Sequence, residues 1–191
     1  GARIPDPAHK ANAKTAMLGE LSRYYDEARR FARMMTERAV QANGQEDVIC
    51  TGGGPGVMEA GNRGAAEAGG QSIGLNIVLP HEQAPNRYVT PDLSFNFHYF
   101  AIRKMHFLMR AKAICIFPGG FGTLDELTEA LTLIQTGKSR RIPLILVQSA
   151  YWQGLLDWFR ARLVAEGMID AADLDLLQVI DEPEQVVEAI F

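Results

Sequence analysis

The chain alternates short apolar runs with longer amphipathic ones. From about Ala8 to Ala42 the positions Leu18, Leu21, Tyr25, Ala28, Phe31, Ala32 and Met35 recur near a 3.6-residue period, predicting a long helix interrupted at Gly19. Asn43-Gly44 marks a turn, and Val48-Ile49-Cys50 reads as a short buried strand. A helix of small residues follows from Val57 to Ala68, stopped by Gly69-Gly70, and Ser72 to Val78 is the next strand. Leu79 to Asn96 reads as a long polar loop punctuated by Pro80, Pro85 and Pro91, the kind of loop that is often functional. A helix from Phe97 to Ala111 then leads into a strand from Ala113 to Phe117. Next come a helix that opens near Thr123 and runs through Leu127 to Gln135, a strand from Pro143 to Val147 and a helix from Tyr151 to Glu166. A short strand around Val179-Ile180 and a helix from Pro183 end the pattern.

These strands are continuous apolar runs rather than alternating ones, as parallel strands covered on both faces must be. With right-handed crossovers the order predicts an α/β, Rossmann-like, doubly wound parallel sheet in a single domain over 1–191. The opening Gly1-Ala2-Arg3-Ile4-Pro5-Asp6-Pro7 resembles a loop that follows a first strand, so that strand is expected upstream of Gly1.

Composition narrows the picture without changing it. At 191 residues, with 47% apolar and 22% charged residues, the chain suits one globular domain. A net charge of −4 argues against nucleic acid as the main partner, because such proteins carry a basic face. No apolar run approaches the roughly 20 residues that span a bilayer, so no membrane partner is expected. Cys50 and Cys115 make no disulfide framework and have no metal-type spacing around them. They read as small core residues of a cytoplasmic protein, and no metal or cofactor is expected.

Candidate chemistry concentrates in two glycine loops that each follow a strand, and therefore lie where parallel sheets bind ligands. Gly52-Gly53-Gly54-Pro55-Gly56-Val57 lacks dinucleotide spacing, and neither loop carries the Gly-Lys-Ser/Thr of a Walker motif. A mononucleotide or phosphosugar fits better. The second loop, Pro118-Gly119-Gly120-Phe121-Gly122-Thr123-Leu124-Asp125-Glu126, breaks a buried strand and opens a helix, which offers backbone N–H groups to a phosphate. Thr123-x-x-Glu126 also matches a capping box, so the residues alone leave Glu126 either catalytic or structural.

The second loop resembles the signature of the LONELY GUY family of nucleoside 5′-monophosphate phosphoribohydrolases, whose members were often labelled lysine decarboxylases. The first loop, the Arg103-Lys104 pair and the opening Gly1-Ala2-Arg3 agree with that family in order. The resemblance implies cofactor-free cleavage of the N-glycosidic bond of AMP or a cytokinin riboside monophosphate, giving free base and ribose 5-phosphate. It implies a catalytic pair at Arg103 and Glu126. Substrate contacts would fall on Gly53, Gly54, Lys104, Gly119, Gly120, Phe121, Gly122, Thr123, Leu124 and Asp125, with Glu82 and Thr132 as further contacts. It also implies a homodimer or a higher homo-oligomer. Small plant-type members carry Tyr at Phe121 and Glu at Asp125, so the resemblance does not carry cytokinin specificity over to this chain and leaves base preference open.

The rival reading is a non-catalytic nucleotide or molybdenum-cofactor carrier, which would not need both Arg103 and Glu126. Pyridoxal phosphate chemistry needs a Schiff-base lysine with a partner for the ring nitrogen. None of Lys10, Lys14, Lys104, Lys112 and Lys138 stands in such a context.

Overall fold

The computed structural model of the chain describes residues 1–12, 19–42, 47–78 and 84–191. These fall into two compact units, Gly1–Arg110 and Ala111–Phe191. Both are α/β with parallel strands, the class expected from the continuous apolar runs.

In the first unit, helix α1 (Arg23–Gln41) precedes strand β1 (Ile49–Thr51), helix α2 (Val57–Glu67) and strand β2 (Ser72–Ile77). Strand β3 (Ser94–Phe97) and helix α3 (Phe100–Met109) complete it. The sheet order is β1-β2-β3, with Ile49 opposite Ser72 and Gly74 opposite Ser94. Of the periodic stripe, Tyr25, Ala28, Phe31 and Ala32 are buried, Leu21 and Met35 are half-buried and Leu18 lies outside the described residues; Tyr24, off that stripe, is buried too. Glycine is needed where α2 meets α1, since a Cβ on Gly64 would run into the backbone of Arg29 and Arg33.

The second unit holds strand β4 (Ile114–Ile116), helix α4 (Phe121–Gln135) and strand β5 (Leu144–Val147). Helix α5 (Ser149–Trp158), strand β6 (Leu177–Ile180) and helix α6 (Pro183–Ile190) follow. Its sheet order is β4-β5-β6. The central strand is its core: Leu144, Ile145, Leu146 and Val147 are fully buried. Leu127 and Ala130 of α4, Trp152 of α5 and Val186 of α6 are buried too.

Five expectations need correction or delimiting. Residues Ser94–Phe97 form a strand, where the sequence reads as the end of a loop and the start of a helix. This strand alternates polar and apolar residues, a pattern hidden from a search for continuous apolar runs. Helix α4 opens at Phe121, about two residues before the Thr123 start that a capping box requires. Cys50 is exposed rather than part of the core, because its strand neighbours Ile49 and Thr51 take the side facing Gly61 of α2. The Asn43-Gly44 turn and the Glu82 contact lie outside the described residues.

Candidate active site

In the first unit, the chain leaves β1 at Thr51, passes through Gly52–Gly56 and enters α2. A polar network closes this loop from behind. The Thr51 hydroxyl donates to Asn62 Oδ1 (2.7 Å) and accepts from the Gly53 N–H (3.0 Å). Asn62, fully buried in α2, donates to the Ser72 hydroxyl at the start of β2 (2.9 Å). Asn86 donates to the carbonyls of Gly53 (3.1 Å) and Gly54 (3.0 Å) and to Asn62 Oδ1 (2.9 Å). Asn86 therefore pins the proline-punctuated loop onto the first glycine loop. The sequence reading missed Asn62 and Asn86; an asparagine beside Pro85 inside a long functional loop was the available signal.

Arg103 stands on α3 and reaches this same loop. Its Nε donates to the Leu75 carbonyl of β2 at 2.6 Å, and its guanidinium lies 4.9 Å from the centre of the Phe107 ring. A Cβ on Gly52 would strike that guanidinium, so glycine makes room for the arginine. Gly53 and Gly56 both have φ of 71°, the left-handed region that favours glycine. A Cβ on Gly53 would collide with the Asn76 amide. Arg103 and the first glycine loop thus come together. Lys104 is half-buried beside Arg103. His106 turns back to its own helix, its Nδ1 lying 2.8 Å from the Ile102 carbonyl and its ring 5.0 Å from Phe97.

Glu59, in the first turn of α2, does not act as a cap. It accepts a hydrogen bond from the Tyr25 hydroxyl at 2.9 Å and so ties α1 to α2. Burial pushes the Tyr25 phenol well above its ordinary range, which keeps it a donor. Beside it, Arg63 bonds Asp6 at 2.6 Å and Glu67 at 3.0 Å, and the Arg29 guanidinium holds the Glu67 carboxyl below the usual carboxylate range. This cluster is structural: its charged groups pair with one another.

In the second unit, buried Pro118 ends the β4 run and Gly120 caps α4 in an extended conformation (φ −97°, ψ −153°). The Gly120 carbonyl accepts from the N–H of Thr123 (3.0 Å) and of Leu124 (3.1 Å). The N–H groups of Phe121 and Gly122, the first two helical residues, have no acceptor within the helix by position. No side chain caps this end. Thr123 is therefore a first-turn residue rather than the cap, and Glu126 lies in the second turn. The helix dipole fades beyond the first turn, so it does not explain a role for Glu126.

A Cβ on Gly120 or Gly122 would meet nothing within 4 Å, and neither has a positive φ. Phe121 between them is 91% exposed, and Asp125 is exposed as well. Glu126 is half-buried with Oε2 shielded from solvent, and the same holds for Glu129 one turn further along that face. Glu129 escaped the sequence reading, although its spacing from Glu126 was legible. The Thr132 hydroxyl donates to the Thr128 carbonyl at 2.8 Å, a bond back to its own helix that occupies its proton. The Tyr151 hydroxyl donates to the Gly119 carbonyl at 2.7 Å, a contact no sequence pattern announced.

Among the described residues no group of three His, Cys, Asp or Glu is placed to hold a metal. No described helix is long and apolar enough to cross a membrane.

An α/β fold of parallel strands, with a glycine-capped helix opening at a strand's carboxyl end, belongs to the class that seats phosphates at helix starts. Comparison with known proteins carries this further. The profile of the family described as "possible lysine decarboxylase" matches residues 58–190, and the chain belongs to that family, the one in which the LONELY GUY resemblance places it. It is 27% identical over 143 residues to a "probable cytokinin riboside 5′-monophosphate phosphoribohydrolase" of Oryza sativa subsp. japonica, covering 74% of this chain and 60% of that protein. It is 33% identical over 136 residues to the pyrimidine/purine nucleotide 5′-monophosphate nucleosidase of Escherichia coli K12, covering 62% of this chain and 28% of that one. The chain thus matches less than two thirds of either relative's length.

In fold it is similar to the molybdenum cofactor binding protein of Rippkaea orientalis (TM-score 0.56, 22% identity, 86% of each chain). The molybdenum cofactor carrier protein of Chlamydomonas reinhardtii is comparably similar (TM-score 0.56, 19% identity, 85% of each chain).

Proposed function

We propose that this protein hydrolyses the N-glycosidic bond of nucleoside 5′-monophosphates, releasing the free base and ribose 5-phosphate, as a cytoplasmic homo-oligomer without a cofactor. The observation that carries the reading is the start of α4. Its glycines 120 and 122 answer to no steric or conformational demand of the fold, while they leave helical N–H groups accessible to a phosphate. The similarity to enzymes named for acting on nucleoside monophosphates supports the substrate class.

Cleavage builds oxocarbenium character at the ribose C1′. Glu126 supplies the carboxylate that stabilises this charge and takes a proton from the attacking water, while the electron pair of the breaking C1′–N bond leaves with the base, which takes its proton from solvent. Arg103 stays protonated at any working pH and so holds ribose or phosphate oxygens rather than donating a proton. Gly119, Gly120, Phe121, Gly122 and Thr123 seat the phosphate, and the Phe121 and Asp125 positions favour ordinary nucleotides over cytokinin forms. A second copy of the chain covers α3, which has no buried residue and exposes Phe100, Ile102, Met105 and Met109; a monomer in light scattering would remove this part.

The test is base release from AMP, GMP, CMP, UMP and isopentenyladenosine monophosphate. The expected result is release by the wild type and a loss of about 10²-fold or more in Glu126→Gln, the scale of general-base catalysis. Tight nucleotide binding by the wild type with no base released would replace the hydrolase with a carrier.

A further inference from the structure

Gly120 and Gly122 border open space, and a run with Gly119 beside them supplies no rigidity of its own, so something must hold its peptides in one orientation. Tyr151, in the first turn of α5, donates its hydroxyl to the Gly119 carbonyl at 2.7 Å. Its own placement is over-determined. Gln148, just before α5, is held at φ 80°, among the described residues the only non-glycine with positive φ. Asp181, beyond β6, accepts hydrogen bonds from the Ser149 N–H and from the Ser149 hydroxyl (2.7 Å), capping α5 from a distant point in the sequence. The Tyr151 ring stands edge-on to Trp152 at 4.9 Å, and the buried Trp152 indole donates to the Val147 carbonyl at 3.0 Å.

We propose that Tyr151 is a positioning residue for the phosphate seat: its hydroxyl orients the Gly119–Gly120 peptide so that the Gly120 N–H faces the ligand. The peptide is planar and trans, so its C=O and N–H point in opposite directions. Fixing the Gly119 carbonyl toward α5 therefore turns the Gly120 N–H away from α5. Without the hydroxyl, a peptide bordered by glycine on both sides, with open space around Gly120, is free to flip. Tyr151 touches no substrate and acts through Gly119. The proposal rests on the phosphate seat in the preceding section, but not on hydrolysis.

The experiment compares wild type, Tyr151→Phe and Glu126→Gln, measuring kcat and KM for AMP and the affinity for ribose 5-phosphate by calorimetry. Tyr151→Phe keeps the ring on Trp152 and removes one hydrogen bond, so its melting temperature should match the wild type. Its KM and its Kd for ribose 5-phosphate should rise about 5-fold, the scale of one hydrogen bond, with kcat within 2-fold. Glu126→Gln should instead lower kcat by about 10²-fold, a split opposite to that of Tyr151→Phe. If Tyr151→Phe binds ribose 5-phosphate with wild-type affinity, the proposal is overturned. A drop in kcat and melting temperature at unchanged KM also overturns it, since that would mark a merely structural contact. A wild type that releases no base removes the hydrolase alone; the ribose 5-phosphate titration then still decides for or against Tyr151. A wild type that binds no ribose 5-phosphate overturns both seat and proposal.

Discussion

In the loop after β1, a Cβ on Gly53 would collide with the Asn76 amide and one on Gly56 with the backbone of Gly1 and Ala2; in the loop after β4, a Cβ on Gly120 or Gly122 would meet nothing within 4 Å. The first loop's glycines have a φ of 71° at both Gly53 and Gly56, whereas Gly120 is extended. Gly53 has both backbone groups engaged within the protein, by Thr51 and by Asn86. At the second loop the first two helical N–H groups lack any intrahelical partner. Two runs that look alike in sequence therefore answer to different demands. The first is glycine-rich because the fold is crowded there; the second carries Gly120 and Gly122 where the fold sets no steric demand, which is the ground for the phosphate proposed there.

The largest effect should come from the support of the crowded loop. Asn62→Ala removes a partner at once from Thr51, Ser72 and Asn86, all in or bordering a buried region. Stranding such groups should cost about 3 kcal/mol, visible as a shifted denaturant midpoint at unchanged slope. A loss below about 1 kcal/mol would mean that the loop is not held from behind. Gly53→Ala is expected next, at about 2 kcal/mol, from the left-handed φ and the collision with Asn76 together. If Gly53→Ala instead unfolds with wild-type stability and fails only in nucleotide binding, the contrast between the loops collapses.

Sequence and structure agree on what periodicity can carry. The buried stripe of α1 and the wholly apolar β5 were legible because burial dictates residue type there. Strand β3 was not legible: it is short, half polar and follows three prolines, so local pattern favoured a loop until pairing with β2 decided otherwise. The start of α4 failed for a related reason. Thr123-x-x-Glu126 has the letters of a capping box, but Gly120 ends the extended segment earlier and so takes the cap. Arg103 against Gly52 was within reach of the family resemblance, though not of spacing, because the contact joins α3 to a loop about fifty residues earlier in the chain. Glu129 was legible from its spacing to Glu126, whereas the partners of Asn86 and Tyr151 were not, since each holds a backbone carbonyl that only the folded chain brings near.

The smallest effect tests the contrast most sharply, because its sign is unusual. Gly122 is the second residue of α4, and an added methyl there meets open space. Glycine is a poor helix former relative to alanine, chiefly through the entropy it loses on folding. Gly122→Ala should therefore stabilise the protein, by about 0.5 kcal/mol, while every substitution discussed for the first loop destabilises it. The same methyl would project where the helix start presents its N–H groups, so affinity for ribose 5-phosphate should fall by about 10-fold. Gain in stability with loss of ligand, in one variant, is what separates a residue kept for binding from one kept for folding. Chemical denaturation and calorimetry on the same preparation measure both. Should Gly122→Ala bind ribose 5-phosphate normally, the openness of the second loop would be incidental, and the case for a phosphate at the start of α4 would fall with it.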